Sequence, residues 1–186
     1  ASVLRGLGRV PDSTGRTVLV LGAGPIALLF TSQLLRRGAS RVFVAGRSPG
    51  RLAAHAALGA ETISTRESLT ARLWDLTEGQ GADLVVETTG APSIADEAPG
   101  LAARGGTVLL FAGLVREARL AVLAHRVHYD EVSLVGSFHY TVDDARASLD
   151  LLARGEVPIA RLVTAESPLE QYPFVLERLS RGMEMK

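Results

Sequence analysis

Apolar residues fall along this chain in short unbroken runs, separated by stretches where they recur every three or four positions, the pattern of strands alternating with helices. Val18 to Leu21, Val42 to Val44, Glu61 to Ser64, Ala82 to Glu87, the run TVLLFA at 107–112 and Val132 to Gly136 read as six strands. Consecutive apolar positions mean that both faces of such strands need cover, as in a parallel sheet layered between helices. From Ile26 the spacing turns helical: Leu28, Leu29, Leu34 and Leu35 form the inward stripe, Ser32, Gln33, Arg36 and Arg37 are left for other faces, and Gly38 ends the helix. Arg51 to Leu58 predicts a second helix, with Ser48 as N-cap, Pro49 at the first helical position and Gly59 as the stop. Further helices are expected over 66–78, over 93–103, from Thr141 to Leu152 with Gly155 as the stop, and from a capping box at Ser167, Pro168 and Glu170 through Leu179. The alternation predicts an α/β fold with an open, doubly wound, parallel six-stranded sheet.

The junction of the first strand and helix carries the chemistry. Gly22, Gly24 and Ala27 fill the three small positions of GxGxxA, with Pro25 and Ile26 between them. The first small residue allows a tight turn, the second lets backbone approach a diphosphate, and the third keeps the helix close to the sheet. The free N–H groups and positive dipole end of that helix favour an anion without any charged side chain. Strand, helix and the second strand at Val42 make a βαβ unit of about 30 residues, the setting in which this motif marks a dinucleotide site. The fold expected is therefore a Rossmann fold. Its ligands bind at the carboxyl ends of the strands, where Thr88, Thr89 and Gly90 follow the fourth strand and Ala112, Gly113 and Leu114 follow the fifth. These six residues are the candidates for the nicotinamide end, although from position alone they are equally readable as plain turns.

The second strand ends in Ala45, Gly46, Arg47 and Ser48. An NAD site places an acid there, about 20 residues beyond the glycines, to bind the ribose hydroxyls. The acid is absent. Gly46 leaves room where a carboxylate would repel a 2′-phosphate, and Arg47, with Arg51 as second candidate, offers a forked contact to that phosphate. The cofactor expected is NADP(H), with NAD(H) as second choice.

Composition removes other classes. The 186 residues hold no cysteine, which excludes disulfides, thiolate zinc sites and cysteine nucleophiles, and points to a cytoplasmic setting. Net charge is zero with scattered arginines, so no nucleic-acid footprint is present. No run approaches the roughly 18 apolar residues of a membrane span. Lys186 is the only lysine, which leaves little scope for lysine bases or Schiff bases.

With the glycine turn, VVETTG and GGTVLLFAGL in place, the chain resembles the medium-chain dehydrogenase/reductase superfamily, in particular its zinc-type alcohol, polyol and threonine dehydrogenase branch. SVLRGLGRV, HYDEVSLVGSFHYTVDDARASLDLLARGEVP and LVTAESPLEQ extend the likeness over nearly the whole chain. The resemblance implies a cofactor-binding half, supplied as a fragment or isolated domain. Residues 1–16 would be a lead-in helix from a catalytic domain, 17–140 the dinucleotide-binding core, and 141–186 helices returning towards that domain. It implies that Gly22, Gly24 and Ala27 hold the diphosphate, Gly46 and Arg47 the adenosine end, and Thr88 and Gly113 with their neighbours the nicotinamide end. Zinc and the catalytic residues would lie on the other domain, and hydride would pass between nicotinamide and an alcohol or ketone. A zinc-independent quinone or enoyl reductase and a non-catalytic nucleotide-sensing module remain alternatives. The resemblance and the sixth strand, expected at the sheet edge, both suggest a homodimer or homotetramer.

Other candidates carry no site. His125 and His128 have no third ligand at a recognisable spacing and are expected as a loop or surface pair, and His55 is expected to be solvated. His139, just after the sixth strand, is placed to approach substrate. Tyr129, Tyr140 and Tyr172 lack the lysine four residues on that a short-chain reductase pair requires. Trp74 is expected in the core, and Asp143, Asp144 and Glu170 at helix caps.

Overall fold

The computed structural model describes residues 1–66, 68–163 and 165–180; Lys186 and Thr164 of the LVTAESPLEQ segment lie outside them. Six strands, β1 (Thr17–Leu21), β2 (Arg41–Gly46), β3 (Glu61–Ser64), β4 (Ala82–Glu87), β5 (Ala102–Leu110) and β6 (Ser133–Gly136), form one sheet in the order β3-β2-β1-β4-β5-β6. All five pairings are parallel. Strand order reverses between β1 and β4, which opens a crevice at their carboxyl ends. The sixth strand lies at the edge, as expected.

The alternating faces of the strands build two cores. Val18, Val20, Val42, Val44, Leu84 and Val86 pack with Phe30 and Leu34 of helix α2 (Pro25–Arg36) and with Val3 and Leu7 of helix α1 (Ser2–Leu7). On the opposite face Leu19, Leu21, Phe43, Ala45 and Val85 meet Leu73 of helix α4 (Leu69–Leu76) and Leu101 of helix α5 (Pro92–Leu101). Helix α3 (Pro49–Ala56) starts at Ser48, whose hydroxyl accepts from the Arg51 amide at 3.4 Å. After β5 come a short α6 (Ala124–His128), then α7 (Val142–Ala153), α8 (Ile159–Leu162) and, behind a 3-10 turn at Leu169–Gln171, α9 (Tyr172–Ser180).

Several expectations are corrected. Ser32 and Gln33 of α2 are buried, because this helix is covered on more than its sheet face: the Gln33 side-chain amide donates to the Glu156 carbonyl beyond α7 at 3.3 Å. Trp74 is more than one-third exposed and lies against Gly79, while its neighbour Leu73 takes the core position. The helix expected over 66–78 starts only after Ser68, which caps it through the Ala71 amide. The helix over 93–103 stops at Leu101, where Ala102 turns extended and pairs with Ala82. The fifth strand is therefore Ala102–Leu110, with a register shift, and Phe111 and Ala112 lie beyond it. No side chain caps the 3-10 turn at Leu169, so the capping box expected at Ser167 and Glu170 is not made. By contrast Thr141 and Asp144 form a complete capping box on α7.

Candidate functional site

Three loops meet at the carboxyl ends of β1, β4 and β5. Gly22 leaves β1 with φ of +106°, its amide donating to the Ala45 carbonyl of β2 at 2.9 Å. A β-carbon at Gly22 would fall 2.7 Å from Thr88 Oγ1 and 3.0 Å from Thr89 Cγ2, so only glycine fits there. Thr88 fixes the same junction from the other side: its amide and hydroxyl both donate to the Leu21 carbonyl, at 3.0 and 2.7 Å. Gly90, with φ of +68°, brings the β4 loop against the β5 loop, where an added β-carbon would meet the Gly113 carbonyl at 2.7 Å. Phe111 and Ala112 in turn donate their amides to the Glu87 carbonyl, both at 3.2 Å.

Gly24 differs from these packed glycines. It is the N-cap of α2, its φ of −85° is open to any residue, and among the described residues no atom outside its two chain neighbours lies within 4 Å of an added β-carbon. Neither backbone strain nor internal packing calls for glycine there. The space beside it stands over the helix N-terminus, which carries no side-chain cap, and a diphosphate fits this arrangement of open room and free amides. Ala27 is fully buried against the sheet, and Pro25 and Ile26 form the exposed first turn.

At the adenosine side, Gly46 ends β2 with an added β-carbon 2.8 Å from Ala23 Cβ. Close packing of the first loop against β2 thus requires the glycine, independently of any phosphate. Arg47 is exposed beyond it, followed by the Ser48 cap and by Arg51 in the first turn of α3.

Two buried polar side chains bear on the crevice, and sequence reasoning assigned a site role to neither. Glu87 closes β4 fully buried. Its carboxylate accepts from the Thr89 amide at 2.6 Å, from the Gly90 amide at 3.1 Å and from the Thr89 hydroxyl, so it braces the whole β4 loop. An acid directly after the apolar run Leu84 to Val86 was the available signal. His55, expected in solvent, is buried between α3 and α2, a correction that follows from the helices crossing there. Its Nδ1 lies 2.9 Å from Thr31 Oγ1, which also reaches the Ala27 carbonyl at 2.9 Å, and it hydrogen-bonds the Ala23 backbone. Burial pushes this imidazole below the usual histidine range, against the opposing effect of the Ala23 bond.

The remaining histidines make ring contacts. His125 and His128 flank the Tyr129 ring on and after α6, and His139 stacks on Phe138 with φ of 55°. Among the described residues no three His, Cys, Asp or Glu side chains converge as a metal site, and no helix is long and apolar enough to cross a membrane.

A parallel sheet with this order, a glycine turn at its switch point and an open helix N-terminus make a Rossmann-like α/β domain. The model of the zinc-binding dehydrogenase family matches residues 25–154, and the chain belongs to that family, within the medium-chain dehydrogenase/reductase superfamily of oxidoreductases. It is 34% identical over 181 residues to D-altritol 5-dehydrogenase of Agrobacterium fabrum, covering 96% of this chain and 51% of that protein. The alcohol dehydrogenase TADH from Thermus sp. ATN1 superposes with a TM-score of 0.88 at 26% identity, over 99% of this chain and 53% of its own. A putative zinc-binding dehydrogenase from Sinorhizobium meliloti 1021, solved bound to NADP, gives a TM-score of 0.80 at 26% identity, over 86% and 48% of the two chains. The chain spans about half the length of the curated relatives it matches.

Proposed function

We propose that this chain is the NADP(H)-binding domain of a zinc-type alcohol or polyol dehydrogenase. The observation that carries the reading is Gly24, a glycine that neither strain nor packing demands, beside open space at an uncapped helix N-terminus. In this reading the first-loop amides and the α2 dipole hold the diphosphate. Arg47 and Arg51 reach the 2′-phosphate, and Ser48 sets the start of α3 beneath them. Thr88, Thr89, Gly90, Ala112, Gly113 and Leu114 line the nicotinamide end. The missing acid after β2 supports the phosphorylated cofactor, since an arginine and no carboxylate follows the strand.

The complete protein, in this proposal, has a separate catalytic domain that supplies zinc to polarise the oxygen of an alcohol or ketone. Residues 1–16 lead in from it, 17–140 bind and orient the dinucleotide, and 141–186 return towards it. The protein works in the cytoplasm as a homodimer or homotetramer, with no nucleic-acid or membrane partner. Calorimetry with the 186-residue chain tests the core of this reading: NADPH binds at least about tenfold tighter than NADH, the scale of one charge-assisted pair. Tighter binding of NADH reverses the cofactor assignment. The chain alone turns over no alcohol with or without zinc, and zinc-dependent turnover by these residues would overturn the division of labour.

A further inference from the structure

Glu87 is fully buried at the end of a central strand, in register with Leu21, the residue before the glycine turn. Its carboxylate accepts from the Thr89 and Gly90 amides and from the Thr89 hydroxyl, whose oxygen in turn accepts from the Ala91 amide. Every one of those donors is neutral. The loop is thereby tied down, and among the described residues no cation lies in the hydrogen-bond shell of this carboxylate. That charge stands directly beneath the β4 loop, which touches the β5 loop through Gly90 and Gly113.

We propose that Glu87 selects between redox forms of the cofactor, its buried charge favouring the oxidised dinucleotide over the reduced one. The inference rests on the assignment of the nicotinamide end to these two loops. An oxidised nicotinamide ring carries a positive charge and a reduced ring carries none. The two forms otherwise present nearly the same surface to the crevice. A fixed anion out of solvent is weakly screened, so it acts on the one property that distinguishes them. A side chain serving only as a loop brace would act on both forms alike.

The ratio of dissociation constants for NADP⁺ and NADPH, measured by calorimetry on the 186-residue chain, separates the two roles. Glu87→Gln keeps the size of the side chain and one carbonyl acceptor for the loop amides while removing the charge. The ratio is expected to rise by about threefold to tenfold, through weaker NADP⁺ binding, with NADPH affinity held within about twofold. Equal weakening of both forms, or an unmoved ratio, overturns the proposal and leaves a loop brace. Thr89→Val provides an independent arm that keeps the charge and removes one donor. Its ratio stays within about twofold of the parent or tilts further towards the oxidised form, because the carboxylate loses a compensating donor. A tilt towards the reduced form in that variant overturns the proposal even where Glu87→Gln fails to fold. Failure of the parent chain to bind any pyridine dinucleotide removes the reading of the crevice and this inference together, whereas equal weakening removes the inference alone.

Discussion

The strands that build the crevice and the helices that follow the sheet obey the same apolar spacing with opposite results. In β1, β2 and β4 nearly every residue is buried, and Val18, Leu19, Val20, Phe43, Val44, Val85 and Val86 have no accessible surface. In α7 and α8 no residue is buried, and Val142 and Leu149 of α7 are 67% and 65% exposed. The difference is one of partners. These three strands have a helix layer above and below, while the apolar side chains of α7 to α9 face few others. Periodicity shows which face of an element is apolar, and only the neighbours decide whether that face is covered. Folding free energy should accordingly reside in the sheet and its two helix layers.

The sharpest test of that division is Phe43→Ala, which empties a site enclosed by β1, β3 and the α4 layer. It is expected to cost about 3–5 kcal/mol in chemical denaturation, the range for aromatic truncation in a closed core. A cost near that of a surface change would mean that the sheet is not the seat of stability.

The glycine turn divides the comparison further, within the crevice itself. Gly22→Ala forces a side chain into positive φ and against Thr88, and is expected to cost about 1–3 kcal/mol of stability along with more than tenfold in dinucleotide affinity. Gly24→Ala meets no atom of the described residues beyond its chain neighbours and keeps an ordinary φ, so stability is held while affinity falls by a similar factor. Loss of both properties in Gly24→Ala, read by thermal melting beside calorimetry, would make that glycine structural and take away the main support for a diphosphate there.

The strands around the crevice were legible because burial on both faces leaves an unbroken apolar run, which little else in a sequence imitates. The glycine positions were legible for a related reason: few residues tolerate the geometry, so their identity reports it. What escaped notice depended on contacts across the fold. Nothing local distinguishes His55 from a solvated helix histidine, since its burial comes from α2, whose Thr31 lies 24 positions away. Trp74 and Leu73 are adjacent on one turn, and a shift of one position decided which entered the core. The start of β5 at Ala102 has no apolar run to announce it, because it pairs with Ala82 through backbone. Gly46 was readable as space for a phosphate, whereas its immediate neighbour is the Ala23 methyl.

His55 also supplies a pH test confined to the crevice side. Burial lowers its pKa in the folded chain, so the folded state binds this proton less readily than the unfolded state does. Its contribution to stability is thus fully present above the unfolded value of about 6.5 and declines as pH falls below it. The lowered carboxylates Asp12, Glu61, Asp130 and Asp144 lose theirs only further down, below about pH 4. Thermal midpoints between those two windows should therefore fall with acidification in the parent chain and change less in His55→Leu. An equal slope in both would place the titration elsewhere.

The smallest expected effect bears most directly on the opening contrast. Leu149, on α7 and 65% exposed, has the helical spacing of a core residue but little around it. Burial stabilises only in proportion to surface removed from water, and here most of that surface remains wet. Leu149→Gln retains helix propensity and similar length, so it should change the unfolding free energy of this chain by less than about 0.5 kcal/mol. The same substitution at Leu73, equally apolar but with no accessible surface, strands an amide in the core and should be strongly destabilising. Matching losses at the two leucines would show that α7 is covered in solution, and the contrast between sheet and tail would then be one of where a partner lies, not of what the tail contributes.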